Sequence, residues 1–199
     1  MVECKLGQSQ DSCLTHEQVE TARAIHEGAH DSKGDKFVIS GPLPGSELAW
    51  SGVYIPLSAS GRTLSPEIAT GTLKYLVYSE NPPTDCTLSD LKFTPESFSA
   101  ATKLNNLYDS PDPDLRTFAK SGGKLILWHG LADPHISPLN TVAYYNAMNR
   151  VMGESKVKDF AGLYLFPGGY HCSGGEGPFS FDVISAIMAW VEKESRLML

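Results

Sequence analysis

Asp133 and His171 are the two residues of this sequence whose types and settings could do chemistry together. Asp133 closes the stretch Lys124-Leu125-Ile126-Leu127-Trp128-His129-Gly130-Leu131-Ala132-Asp133, a short apolar run ending in a turn that bears a carboxylate. His171 stands after a second apolar run, Gly162-Leu163-Tyr164-Leu165-Phe166, and the turn Pro167-Gly168-Gly169-Tyr170. A carboxylate and an imidazole at the ends of adjacent strands are a common mounting for an acid/base pair. An imidazole acting as general base must be held in one tautomer, and its cation must be stabilised during the reaction; a carboxylate on the far ring nitrogen does both. Spacing alone leaves a plainer alternative open, in which Asp133 and Pro134 make a turn and His171 is a polar residue at a strand end. The catalytic reading also requires a nucleophile.

The elements that must position this pair are legible around it. Leu125 to Trp128 form a continuous apolar run without alternation, as expected of a parallel strand buried on both faces, and Gly162 to Phe166 form a second. Between them Ser137-Pro138 starts a helix with Val142, Tyr145 and Met148 on one side. After them Phe179 to Glu194 carries Val183, Ile184, Ile187, Met188, Trp190 and Val191, an amphipathic helix that would cover the sheet. Strand, helix, strand, helix is the pattern of an open parallel sheet, whose chemistry sits at the carboxyl ends of the strands, where Asp133 and His171 both fall.

Upstream, Thr15-His16-Glu17-Gln18 is a capping box, and Val19, Ala22 and Ile25 recur at helical spacing, so a helix should run to about Gly28. From His30 to Gly61 the composition turns to Gly, Pro and Ser with scattered aromatics, among them Trp50 and Tyr54. A segment of that length without a period is a lid, a binding loop or disorder. Trp50 and Tyr54 are candidates for contacting an aromatic substrate, against the alternative that they pack the loop down. Ser65-Pro66-Glu67 predicts a helix with Ile68, Leu73, Leu76 and Val77 buried out to Ser79; Thr94-Pro95-Glu96 predicts another with Phe98, Ala101 and Leu104. Asp112-Pro113-Asp114 predicts a third, its two acids explained as a cap and a first-turn acid without a metal.

The 199 residues fit one domain, or one domain with an insertion, and 41% hydrophobic with 20% charged content is ordinary for a soluble globular chain. A net charge of −7 with no Lys/Arg cluster argues against nucleic acid or an anionic membrane as partner. No apolar run is long enough to span a bilayer, and the N-terminus has neither the apolar core nor the cleavage motif of a signal peptide. Cys4 and Cys13 are spaced to close a small disulfide ring, which would imply an extracellular or periplasmic setting; two free thiols are the alternative. No Cys-x-x-Cys or Cys/His ligand spacing occurs, so neither zinc nor any other metal or cofactor is expected.

Several of these motifs together resemble the C-terminal half of the tannase and feruloyl esterase family. They are Asp112-Pro113-Asp114-Leu115, Gly122 through Asp133, and Phe166-Pro167-Gly168-Gly169-Tyr170-His171-Cys172-Ser173-Gly174-Gly175. Cys13-Leu14-Thr15 with Gln18-Val19, and Pro44-Gly45-Ser46-Glu47 with Trp50, are similar to the segment leading into that family's lid. The resemblance implies an α/β chain with a partial α/β-hydrolase fold: a partial lid or insertion segment over 1–90, and the C-terminal strands and helices of the parallel sheet over 91–199. It implies a serine esterase acting on aromatic esters, feruloyl or galloyl, with Asp133 as the acid and His171 as the base. In the family the residue matching Cys172 is disulfide-bonded to a cysteine just before the nucleophilic serine. That serine stands in a Cys-Ser-x-Gly-Gly elbow, and this sequence has no such upstream motif.

Ser173 follows the base by two residues and would have to fold back onto it, and Ser46 neither follows a strand nor precedes a helix, so neither replaces the missing nucleophile. The chain is therefore expected to be a piece of a larger secreted or periplasmic enzyme, with Cys172 lacking its partner and either free, oxidised or joined to Cys86. An open sheet without its central strands would expose an unpaired edge at Leu125 to Trp128, so instability, self-association through that edge or completion by another part is expected. A second reading, from a different class, is a non-catalytic binding module.

Overall fold

The computed structural model describes residues 2–5, 7–9 and 11–193, and Glu194, the expected last residue of the final helix, lies outside them. The elements are α1 (His16–Glu27), α2 (Leu64–Tyr75), α3 (Pro95–Ala101), α4 (Asn105–Tyr108), α5 (Arg116–Lys120), β1 (Leu125–Gly130), α6 (Pro138–Met152), α7 (Glu154–Phe160), β2 (Ala161–Phe166) and α8 (Val183–Lys193). The strands are parallel and pair residue for residue from Leu125↔Ala161 to Gly130↔Phe166. This is part of an α/β-hydrolase fold, as the resemblance implied.

Leu125 and Leu127, alternate residues on one face of β1, pack with Tyr144 and Tyr145 of α6 on a core of Met148, Met152, Val157, Phe160 and Ala161. Met148 and Val157 lose all contact with solvent there. The expected burial of the sheet on both faces is incomplete. On the face away from this core Trp128 meets Phe166 and Phe181 edge-on and stays about a third exposed, and on the core side Leu165, the partner of His129, is about as exposed. α8 turns Ala186 and Trp190 inward, with Lys124 Nζ 5.5 Å from the Trp190 ring, while Ile184, Met188 and Val191 are left exposed.

Helix starts follow local hydrogen bonding, and this corrects three of the expected boundaries. α1 has the expected capping box at Thr15 and stops at Gly28, whose φ of 77° suits glycine. α2 begins at Leu64 after Thr63, because Pro66 in the first turn lacks only an N–H that would go unpaired anyway; of its expected stripe only Leu73 is buried. Asp112 does not cap a helix. Its carboxylate accepts from Asp114 N–H, Asp114 accepts in turn from Arg116 N–H, and the chain becomes helical only at Arg116. Likewise α8 begins at Val183 after Asp182, whose carboxylate accepts from Ser185 N–H, so Phe179 and Phe181 stay outside the helix.

Cys4 and Cys13 form a disulfide, and Cys86 and Cys172 are free, which removes the Cys86–Cys172 alternative. Thiol titration of the unfolded, unreduced chain is expected to detect Cys86 and Cys172 alone, and reduction to add Cys4 and Cys13. Closing a ring this small should stabilise the N-terminal segment by about 2–3 kcal/mol through the entropy of the unfolded chain. A melting temperature unchanged by reduction would show that the bridge contributes nothing.

Candidate active site

β1 and β2 end level with each other, and the two turns that follow are tied together. Leu131 N–H donates to Phe166 O and Ala132 N–H to Gly169 O, both at 2.9 Å. The backbones are so close that a Cβ placed on Gly130 would lie 2.3 Å from Gly169 O. This contact carries Asp133 from the first turn to His171 from the second. Asp133 Oδ2 lies 2.8 Å from His171 Nδ1 and 3.1 Å from His129 Nε2, while Oδ1 accepts from the backbone N–H of His135 at 2.7 Å and of Ile136 at 3.0 Å.

Asp133 is only 2% exposed. Burial works against its charge, but the ring donors of His129 and His171 and the N–H groups of Ile136 and His135 outweigh it and hold the carboxyl well below the usual carboxylate range. Asp133 is thus a fixed anion. His171 has a side chain 45% exposed and its Nδ1 committed to Asp133, which leaves Nε2 as its free atom among the described residues. The arrangement can orient an imidazole, stabilise its cation and move a proton at Nε2.

The loop beyond His171 is tightly folded. Ser173 N–H donates to His171 O at 2.7 Å across Cys172, whose φ of 62° makes it the one non-glycine residue with positive φ among those described. A turn of this kind costs about 1–3 kcal/mol and persists only where its surroundings enforce it. Here Tyr170 N–H donates to Gly174 O, Glu176 N–H donates to Gly168 O, and Gly169 bridges Gly175.

The irregular segment from His30 to Gly61 braces the Asp133 turn at two points. Tyr54 OH donates to Pro134 O at 2.6 Å, and Ser40 Oγ lies 2.6 Å from Ser137 Oγ. Burial and the nearby Asp133 charge push the Tyr54 phenol up. A groove of about 780 Å³ opens here, walled by Ile25, Pro42, Tyr54, Phe93 and His135, and the His135 ring stands edge-on to His171 at 5.1 Å. Across Tyr54 and Ile25 a second groove of about 640 Å³ is lined by Leu14, Ala22, Trp50 and Ile55. Among the described residues no group of three His, Cys, Asp or Glu side chains is placed to hold a metal.

The chain matches the model of the family described as tannase and feruloyl esterase over residues 1–196. It belongs to that family. It is 31% identical over 208 aligned residues to a probable feruloyl esterase B-1 of Aspergillus flavus, an alignment that covers 96% of this chain and 37% of that protein. Among solved structures it is similar to an esterase from Aspergillus oryzae, with 30% identity, a TM-score of 0.77 and coverage of 98% of this chain and 40% of the other. It is also similar to feruloyl esterase B from the same organism, with 26% identity, a TM-score of 0.76 and the same coverage. The chain thus spans well under half the length of the proteins it matches.

In this tannase-family chain the structure brings Asp133 and His171 together and sets Tyr54 beside them through the Asp133 turn. Trp50 is 4% exposed, and its Nε1–H donates to Ser46 Oγ at 3.1 Å; it borders the second groove and supports Tyr54 from behind by an edge contact. Ser46, fully buried with its hydroxyl engaged, has no access to a substrate. Cys172 lies next to His171, exposed and unpaired. Sequence reading missed His129, which shares the Asp133 carboxylate, and His135, which flanks His171. His129 offered only one signal, a polar residue near the end of an otherwise apolar strand.

Proposed function

We propose that this chain carries the acid/base pair of a carboxylic ester hydrolase that cleaves aromatic esters of the feruloyl or galloyl type by a Ser-His-Asp mechanism, the serine being supplied from outside residues 1–199. The observation that carries the reading is the 2.8 Å contact between Asp133 and His171 with His171 Nε2 left free. The names of the relatives support the ester class, and the groove beside His135, walled by Tyr54 and Phe93, supports an aromatic acid or alcohol part. The Cys4–Cys13 disulfide supports a secreted or periplasmic setting, and among the described residues no helix is long and apolar enough to cross a membrane.

In this mechanism the serine hydroxyl attacks the ester carbonyl while its proton passes to His171 Nε2. The tetrahedral intermediate collapses, the C–O bond to the alcohol breaks, and the alcohol leaves with that proton. Water then attacks the acyl-serine, giving its proton to His171, and the carboxylic acid departs as the serine is reprotonated. Throughout, Asp133 stays ionised and holds Nδ1–H.

The test is hydrolysis of a feruloyl ester by the uninterrupted translated polypeptide that contains residues 1–199. His171→Ala is expected to lower kcat/KM by at least about three powers of ten, and a serine-directed inhibitor to stop turnover. Turnover that survives either treatment would rule the mechanism out, and binding of the ester without turnover would favour a non-catalytic module.

A further inference from the structure

His129 is the partly buried titratable group beside the pair that the mechanism above leaves unused. It stands on the same face of β1 as Leu125 and Leu127, turned toward α6, and its side chain is 12% exposed. Nε2 lies 3.1 Å from Asp133 Oδ2 and 3.2 Å from Ile136 O, and Nδ1 lies 2.7 Å from Thr141 Oγ1 in the first turn of α6. Both partners of Nε2 are acceptors, so Nε2 bears a proton. The Thr141 hydroxyl, which can rotate, holds Nδ1 on the other side of the ring. The Nε2 proton of His129 and the orientation of its ring are thereby set by its surroundings.

We infer that His129, held by Thr141, is a positioning residue that fixes the Asp133 carboxylate and tunes the basicity of His171, because its Nε2–H shares with His171 Nδ1 the single oxygen Oδ2. This rests on the acid/base reading of Asp133 and His171. An oxygen that already accepts one ring N–H has less negative charge to offer a second, so the imidazolium of His171 is stabilised less than by a carboxylate of its own. His129 therefore competes with His171 for the one oxygen that orients its ring. The other titratable groups around this oxygen are His135, edge-on to His171, and the Tyr54 phenol above Pro134. Neither touches Oδ2.

The experiment is an NMR titration of the ring protons of His171 in the folded chain, which reads the imidazole whether or not any ester is turned over. His129→Phe, which keeps a ring and removes the donor, is expected to raise the His171 midpoint by roughly half a pH unit or more. Thr141→Val, which frees His129 to turn, should shift it the same way by less, and His129→Asn, which restores a donor, should bring it back toward wild type. In a turnover-competent protein the acid limb of the kcat/KM profile should move upward with the midpoint. Midpoints equal to wild type in folded His129→Phe and Thr141→Val would overturn the inference, and should His129→Phe fail to fold, Thr141→Val and His129→Asn decide it alone. Shifted midpoints without ester hydrolysis would leave His129 in its role and remove only the esterase reading.

Discussion

Asp133→Asn is expected to lower kcat/KM for a feruloyl ester by three to four powers of ten while leaving the fold in place, because the amide reverses the direction of one hydrogen bond. The N–H groups of His135 and Ile136 converge on Oδ1, so the amide oxygen must take that position. The NH2 group then falls where Oδ2 stood, facing His129 Nε2 and His171 Nδ1. His129 keeps its Nε2 proton for Ile136 O, so His171 is the ring that must yield. It gives up the proton at Nδ1 and holds one at Nε2, the tautomer that cannot accept a proton from a nucleophile.

The same substitution alters the response to acid. The native carboxyl is held below its ordinary value, so its contribution to stability is complete above the unfolded value near about 4 and is lost as pH falls through the folded one. Urea midpoints measured from neutral pH downward should therefore decline more steeply below about pH 4 in the wild type than in Asp133→Asn. Parallel curves would mean that the carboxylate is not stabilised as its four donors imply.

Gly130→Ala has the second large effect, on stability and turnover together. The added methyl would stand 2.3 Å from Gly169 O, 2.5 Å from Gly169 C and 2.7 Å from Tyr170 O, all backbone atoms that cannot rotate away. The turn bearing Asp133 must then move off the turn bearing His171. A cost of about 3 kcal/mol in unfolding free energy is expected, at the upper end for overpacking. A shift of an ångström between reacting groups accounts for a further loss of about 100-fold in turnover. Gly71→Ala is the matched control. It lies within α2, where an added Cβ meets nothing within 4 Å, and should stabilise the chain by about 0.5–1 kcal/mol. If Gly130→Ala behaves like Gly71→Ala in both urea denaturation and kcat/KM, the close approach of the two turns is not what aligns the pair.

The parts of this site legible in the sequence are those decided by neighbours in the chain. The apolar runs of β1 and β2 and the Ser137-Pro138 start between them specify a parallel pair with a helical crossover, which brings the turns bearing Asp133 and His171 to the same edge of the sheet, although α7 in that crossover was not legible. The capping box at Thr15 and the Thr94-Pro95 start were readable because a cap depends on residues a few positions away. Contacts made across long separations were not. His129 reaches Asp133 because the chain turns back through Leu131 and Ala132, with Asp133 N–H donating to Gly130 O, and neither strand nor helix periodicity signals that turn. Tyr54 meets Pro134 across eighty positions. Asp112 illustrates a different limit, since an acid beside a proline reads as a helix cap while its carboxylate bonds into a turn two residues early.

The level ending of β1 and β2 has a consequence for which length changes this chain tolerates. With Gly130 opposite Phe166, the distance from Asp133 to His171 is measured out by two short tethers, residues 131–132 and residues 167–170. One residue inserted into either tether would carry its side chain out of reach, whereas a residue gained between α6 and α7 leaves both tethers unchanged. A scan of single-residue insertions should therefore be sharply intolerant at these two places and permissive around Gly153, as if the strand ends were a ruler whose zero mark is the Gly130–Gly169 contact.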